Sequence, residues 1–170
     1  MSYSGKTRIL LDTTYLLPIV GVDVEGVEKV MVILRRLRDR GAVELYHTEL
    51  SIFEIVGKLS RTGFDRERVE LGLVSIKEWF AEAKPTLKAW LKALELKRKG
   101  FRDLIDLLLY TISLTNNIVF LTRDKELVEF LESIGENTGN IMLEEEFIQT
   151  HSNTKQGTIP TKARTTYSKA

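Results

Sequence analysis

The residues best placed to do chemistry in this chain are acids set against apolar surroundings. Asp103 and Asp106 stand at the head of an almost continuous apolar run that ends at Leu114. Asp124 follows a second, shorter run, Ile118-Val119-Phe120-Leu121, and Asp12 closes a third, Ile9-Leu10-Leu11. An ionised carboxylate in such a setting is costly unless something pairs with it. A metal ion is one such partner, and the question becomes whether the chain brings several carboxylates together.

Each acid also has a plain structural reading. Asp12 has the residue type of an N-cap for the segment that follows it. Ser51-Ile52-Phe53-Glu54 has the form of a capping box, with Ser51 as N-cap and Glu54 as its reciprocal partner. Glu49 is a competing acid just upstream. Asp103 precedes Asp106 by about one helical turn; spacing favours Asp106, leaving Asp103 as a first-turn residue, a supporting group or an extra ligand.

The elements that must position these acids are legible from pattern. Residues 8–12 read as a buried strand ending on Asp12, the place where open α/β sheets put their ligand sites. A helix is expected over 25–40, with Val27, Val30, Met31, Leu34 and Leu37 on one face. Its arginines, Arg35, Arg36, Arg38 and Arg40, suit the C-terminal end of the helix dipole and are most simply a solvated face. Residues 43–47 read as a second strand, with His47 a surface residue at its end. Residues 64–99 read as a helical arm broken at Lys84-Pro85, since the residue before a proline leaves the helical region. A helix from about residue 102, a turn at Asn116-Asn117, a strand over 118–121, a helix over 125–134 and a short strand over 140–143 complete the pattern. Short apolar strands alternating with helices predict a three-layer α/β/α sandwich with a central parallel sheet.

Composition bounds the function. The chain has 170 residues, 43% hydrophobic and 29% charged, with a net charge of +1. That length predicts one domain, over residues 1–150. The charge balance argues against a strongly basic coat protein for nucleic acid but allows a local basic groove. With no Cys and only His47 and His151, thiolate sites and His-rich zinc sites are excluded. No apolar run is long enough for a membrane span, and the N-terminus has no apolar leader, so a cytoplasmic protein is the expectation. From His151 onward the composition turns basic and polar, which predicts a flexible tail over 151–170.

Four motifs in order carry a family resemblance: Ile9-Leu10-Leu11-Asp12-Thr13-Thr14, the segment from Thr48 through Glu54, the helix opening at Asp106, and Leu121-Thr122-Arg123-Asp124. Over roughly residues 7–145 the chain resembles PIN-domain proteins, the nuclease fold of VapC-type toxins. The resemblance implies a metal-dependent endoribonuclease, plausible as the toxin of a toxin–antitoxin pair, with Asp12, Glu54, Asp106 and Asp124 as catalytic metal ligands. It implies Mg²⁺ or Mn²⁺, which favour oxygen donors, and products with 5′-phosphate and 3′-hydroxyl ends. Thr14 and Thr122 would orient carboxylates or water; Arg123, Lys58 and Arg61 are candidates for phosphate contact. RNA substrate, an antitoxin and a second copy of the chain are the implied partners. Where the family helix carries small residues, this chain has Leu109, Tyr110, Thr111 and Ile112, a departure that removes no carboxylate. The competing functions are an RNA-processing nuclease and a non-catalytic RNA-binding scaffold; the second has no need of mutually repelling acids. A phosphoacceptor built on Asp12 is weaker still, because residue 14 is Thr and not a second Asp.

Overall fold

The apolar segments flanked by turn signals form one parallel sheet: β1 Thr7–Leu11, β2 Val43–His47, β3 Ala81–Glu82, β4 Val119–Thr122 and β5 Ile141–Leu143. The computed structural model describes residues 5–152. The strand order is β3-β2-β1-β4-β5, and every neighbouring pair is parallel. Side chains alternate between faces along a strand. Ile9 and Leu11 of β1 therefore enter the core on one side, and Leu10 enters the core on the other. Phe120 and Leu121 of β4 divide in the same way. A sheet buried on both faces is what continuous apolar strands require.

Helices fill the two outer layers: α1 Thr13–Leu16, α2 Glu28–Asp39, α3 Glu49–Leu59, α4 Arg66–Trp79, α5 Leu87–Arg98, α6 Leu104–Asn116, α7 Lys125–Ser133 and α8 Glu144–Ser152. Val30 and Leu34 of α2, Ile55 of α3, Ile76 of α4 and Phe147 of α8 share one core with Leu11 and Leu45. Ala93 and Leu96 of α5, Leu107 to Ile112 of α6 and Leu127 and Leu131 of α7 supply the other, apart from Thr111, which is buried but polar. The architecture is the expected three-layer α/β/α sandwich with a parallel sheet. No helix among the described residues is long and apolar enough to cross a membrane.

The segment at 64–99 is two helices separated by a strand that periodicity does not reveal. Asp65 caps α4 and Thr86 caps α5, each accepting a backbone N–H three residues on. Between them Ala81 and Glu82 pair with Tyr46 and His47 at the sheet edge. α4 lies against the 3-10 turn Leu17–Val20, and a Cβ on Gly72 would stand 2.7 Å from Val20 Cα, so only glycine permits that approach. α5 packs on α6. The added strand corrects the reading of His47: it is 3% exposed and not a surface residue, and its carbonyl accepts from Ala83 N–H at 2.8 Å.

Three boundaries also shift. β1 ends at Leu11, leaving Asp12 as the cap of α1. α2 starts at Glu28, and residues 25–27 belong to the approach to it. His151 and Ser152 belong to the end of α8; the remainder of the expected tail, residues 153–170, lies outside the described residues.

Candidate active site

β1 neighbours β2 on one side and β4 on the other, so the direction of winding reverses between β1 and β4. A crevice opens outside the carboxyl ends of strands at such a switch point. The first residues beyond those two strands are Asp12 and Arg123-Asp124.

Asp12 is 8% exposed. Its Oδ1 accepts from Thr14 N–H at 3.0 Å, and its Oδ2 accepts from the Thr122 hydroxyl at 2.5 Å. The capping reading and the site reading of Asp12 are therefore compatible, because the two oxygens take different partners. The Thr122 hydroxyl in turn accepts from Asp124 N–H at 3.1 Å. One buried side chain thus ties the end of β1 to the segment after β4. Asp124 caps α7 by accepting from Leu127 N–H at 3.0 Å, which leaves its other oxygen outside the cap.

The structure corrects the local reading around Glu54. The N-cap of α3 is Thr48, whose hydroxyl accepts from Ser51 N–H at 3.1 Å. Ser51 lies within the first turn, fully buried, with its hydroxyl 3.2 Å from that of Thr48. Glu54 is in the second turn and has no capping duty. Its partner is Lys58, at 3.0 Å along the same helix. At the head of α6, Asp103 is the N-cap and accepts from Ile105 N–H at 2.8 Å and from Asp106 N–H at 3.3 Å. Asp106 sits in the first helical turn with its side chain free of such bonds among the described residues.

Electrostatics joins these acids. Burial first, then the charges of Asp103, Asp12, Asp124 and Glu54, pushes the Asp106 carboxyl up to about 8. Burial also raises Asp12, opposed by the hydrogen bonds from Thr122 and Thr14 and reinforced by Glu54. The charges of Asp103, Asp12, Asp124 and Glu54 thus all act against ionisation of Asp106. These acids do not make a closed cage: among the described residues, no three acidic or histidine side chains are gathered tightly enough to enclose an ion. Carboxylate oxygens are hard donors of the kind that divalent cations take. The donors are all hard, and the repulsion on Asp106 is what a divalent cation would relieve.

The expected cations are distributed differently. Lys58 is held at Glu54, and Arg61 is exposed just past the end of α3. Arg123 is engaged: it donates to the Glu25 carbonyl at 2.9 Å and pairs with Glu144 at 3.3 Å. Glu144 also accepts from the Tyr15 hydroxyl at 2.8 Å, and Tyr15 is fully buried. This network, absent from the sequence reading, fixes the segment before α2 against the carboxylate loop. Its one sequence signal is that Glu144 opens a run of three acids directly after a strand.

Comparison with known proteins agrees with this geometry. A family model of the PIN domain matches residues 9–131. No curated protein matches the chain by sequence. Among solved structures, it is similar to VapBC2 from Rickettsia felis bound to a DNA fragment from their promoter, with a TM-score of 0.58 at 15% identity, over 81% of this chain and 98% of that one. It is similar also to PAE2754 from Pyrobaculum aerophilum, with a TM-score of 0.55 at 14% identity, over 89% of this chain and 98% of that one. At those identities the structural likeness speaks for the fold. Together with the family match it leads to one conclusion: the chain belongs to the PIN domain family, a family of nucleases.

Proposed function

We propose that this protein is a metal-dependent endoribonuclease, the toxin of a toxin–antitoxin pair, in which Asp12, Glu54, Asp106 and Asp124 hold Mg²⁺ or Mn²⁺. What supports the reading is that Asp12 and Asp124 flank the switch point of the sheet, tied together through Thr122, and that the charges of Asp12, Asp124 and Glu54 all act against ionisation of Asp106. When bound, the ion would lower the pKa of a coordinated water and offset charge building on the phosphate. The residues of the chain do the positioning. Thr122 fixes Asp12 relative to Asp124, and Thr14 holds the other Asp12 oxygen. Lys58 orients Glu54. The water oxygen bonds to phosphorus as the bond to the 3′ oxygen breaks, and that oxygen takes up a proton. The ends produced are a 5′-phosphate and a 3′-hydroxyl. Arg123 steadies the segment after β4 through Glu144 and the Glu25 carbonyl. The likeness to VapBC2 supports an antitoxin partner, and a homodimer in the cytoplasm is the assembly we expect.

The test is cleavage of a mixed-sequence RNA with Mg²⁺ or Mn²⁺. Cleavage abolished both by chelator and by Asp106→Asn is the expected result. Cleavage indifferent to chelator contradicts it. Absence of cleavage on many RNAs, with no metal binding, returns the non-catalytic scaffold.

A further inference from the structure

The helical segment at 64–99 leaves one helix face without a partner. α5 turns small residues inward: Ala89 and Ala93, with Leu96, are buried where the helix packs on α6. Its larger apolar residues point the other way. Leu87, Trp90, Leu91 and Leu94 are between 41% and 75% exposed. On a helix of 3.6 residues per turn they fall in one stripe about 100° wide. A helix that is apolar on two faces belongs between two partners, and the described residues cover only one face of α5. Exposed apolar residues scattered singly need no explanation; a contiguous stripe of three leucines and a tryptophan marks an interaction surface.

The charges beside the stripe say what covers it. Lys88 and Glu95 stand two helical turns apart on the same flank of the stripe, both exposed. They are about 10.5 Å apart along the helix axis, too far to pair with one another. Neither makes an ion pair with any described residue. Lys92, the other cation of that flank, is held by Glu136 at 2.7 Å, and Lys99 shares the same acid. The flank thus presents one unpaired positive group and one unpaired negative group. A two-fold axis perpendicular to two antiparallel helices keeps the same flank of each on the same side of the contact. Each of the two charges then meets its complement, twice over. A parallel pair brings opposite flanks together and leaves Lys88 and Glu95 without partners.

We infer that α5 is the surface through which two copies of this chain associate, as an antiparallel helix pair with Lys88 of each copy facing the partner's Glu95. The inference names the surface of the homodimer expected above and does not depend on nuclease chemistry. The charges also set the register: the two-fold axis passes between Leu91 and Lys92. Leu91 of each copy meets its counterpart near the axis, and Leu87 of one stands beside the partner's Leu94.

The test uses the full-length chain and sedimentation velocity over a range of concentrations. Wild type should dimerise. Lys88→Glu sets like charges opposite one another at two symmetric positions and should weaken the dimer roughly 10-fold. Glu95→Lys should do the same. The exchange of both, Lys88→Glu with Glu95→Lys, should restore the wild-type affinity, because the pairs form again with their signs reversed. Leu91→Glu puts two carboxylates at the apolar centre and should weaken the dimer roughly 100-fold or more. All three positions are exposed, and cooperative thermal melts show that the variants fold. The chain has no cysteine, so introduced ones report orientation. Under mild oxidation Leu91→Cys should crosslink to itself. Leu87→Cys should not, yet it should crosslink when mixed with Leu94→Cys. Self-crosslinking at both 87 and 91 means a parallel pair and would overturn the inference. A dimer that Leu91→Glu leaves intact would overturn this surface and leave the homodimer standing; a wild type that stays monomeric would overturn both. None of these readouts uses cleavage, so the nuclease reading stands or falls separately.

Discussion

Changing Asp106 to Asn should stabilise the metal-free protein, and by an amount that depends on pH. Asp106 goes from an ordinary value of 3.8 to about 8 on folding. Between those values the folded state binds more protons than the unfolded state, so stability falls as pH rises through that window and levels off above it. Each unit is worth about 1.4 kcal/mol, which sets an upper limit of roughly 6 kcal/mol. The site is open to water, and screening reduces this to ~2–3 kcal/mol at pH 8. Asn keeps the shape and removes the titration. In EDTA at pH 8 the variant should be more stable by that amount, raising Tm by roughly 5–10 °C. Near pH 4 the two proteins should melt together. Asp12, whose carboxyl is also raised, leaves a slope of the same sign in the variant. With Mn²⁺ the difference should narrow, because an ion at one hundred times its Kd adds about 2.7 kcal/mol to the protein that binds it and only about 1.4 kcal/mol to one that binds it ten-fold more weakly. Urea unfolding at several pH values, with and without Mn²⁺, reads all of this. An Asn variant that is no more stable than wild type at pH 8 in EDTA, with the same pH slope, would refute the repulsion argument.

Thr122→Val removes the hydroxyl between Asp12 and Asp124 while keeping the shape; kcat for RNA cleavage should fall roughly 10–100-fold with KM little changed, and Thr122→Ser should recover most of it. Thr48→Ala should cost ~1 kcal/mol in urea unfolding as the lost cap of α3, whereas Glu54→Ala should cost less than about 0.5 kcal/mol in chelator; the opposite ranking would restore the capping box at Ser51 and Glu54. Gly72→Ala should lower stability by roughly 1–3 kcal/mol, measured by thermal melt, because its methyl group meets the backbone at Val20.

The sheet was legible because buried parallel strands are apolar throughout, and β1, β2 and β4 are such runs between clear turns. β3 was not, because two residues carry no period; it exists through its pairing with Tyr46 and His47. That same pairing buries His47, whose surroundings cannot be inferred from its neighbours in sequence. Thr48 and Ser51 are both good N-cap types three residues apart, and the end of β2, a tertiary fact, decides between them. At α6 the local signal placed both acids at the helix start but not the boundary: the helix opens at Leu104 and not at residue 102, so Asp103 takes the cap and Asp106 lies in the first turn. The link from Tyr15 through Glu144 to Arg123 joins residues far apart in the chain, so no spacing reports it.

The central claim is that acids from four elements make one divalent-cation site. Titration of Mn²⁺ into the full-length protein, followed by electron paramagnetic resonance, tests it without needing a substrate. Wild type should bind, and Asp12→Asn and Asp106→Asn should each weaken binding at least roughly 10-fold, as expected when a liganding carboxylate is lost from an oxygen-donor site. Wild type that leaves Mn²⁺ free at millimolar concentration, or variants that bind as wild type does, would contradict the account.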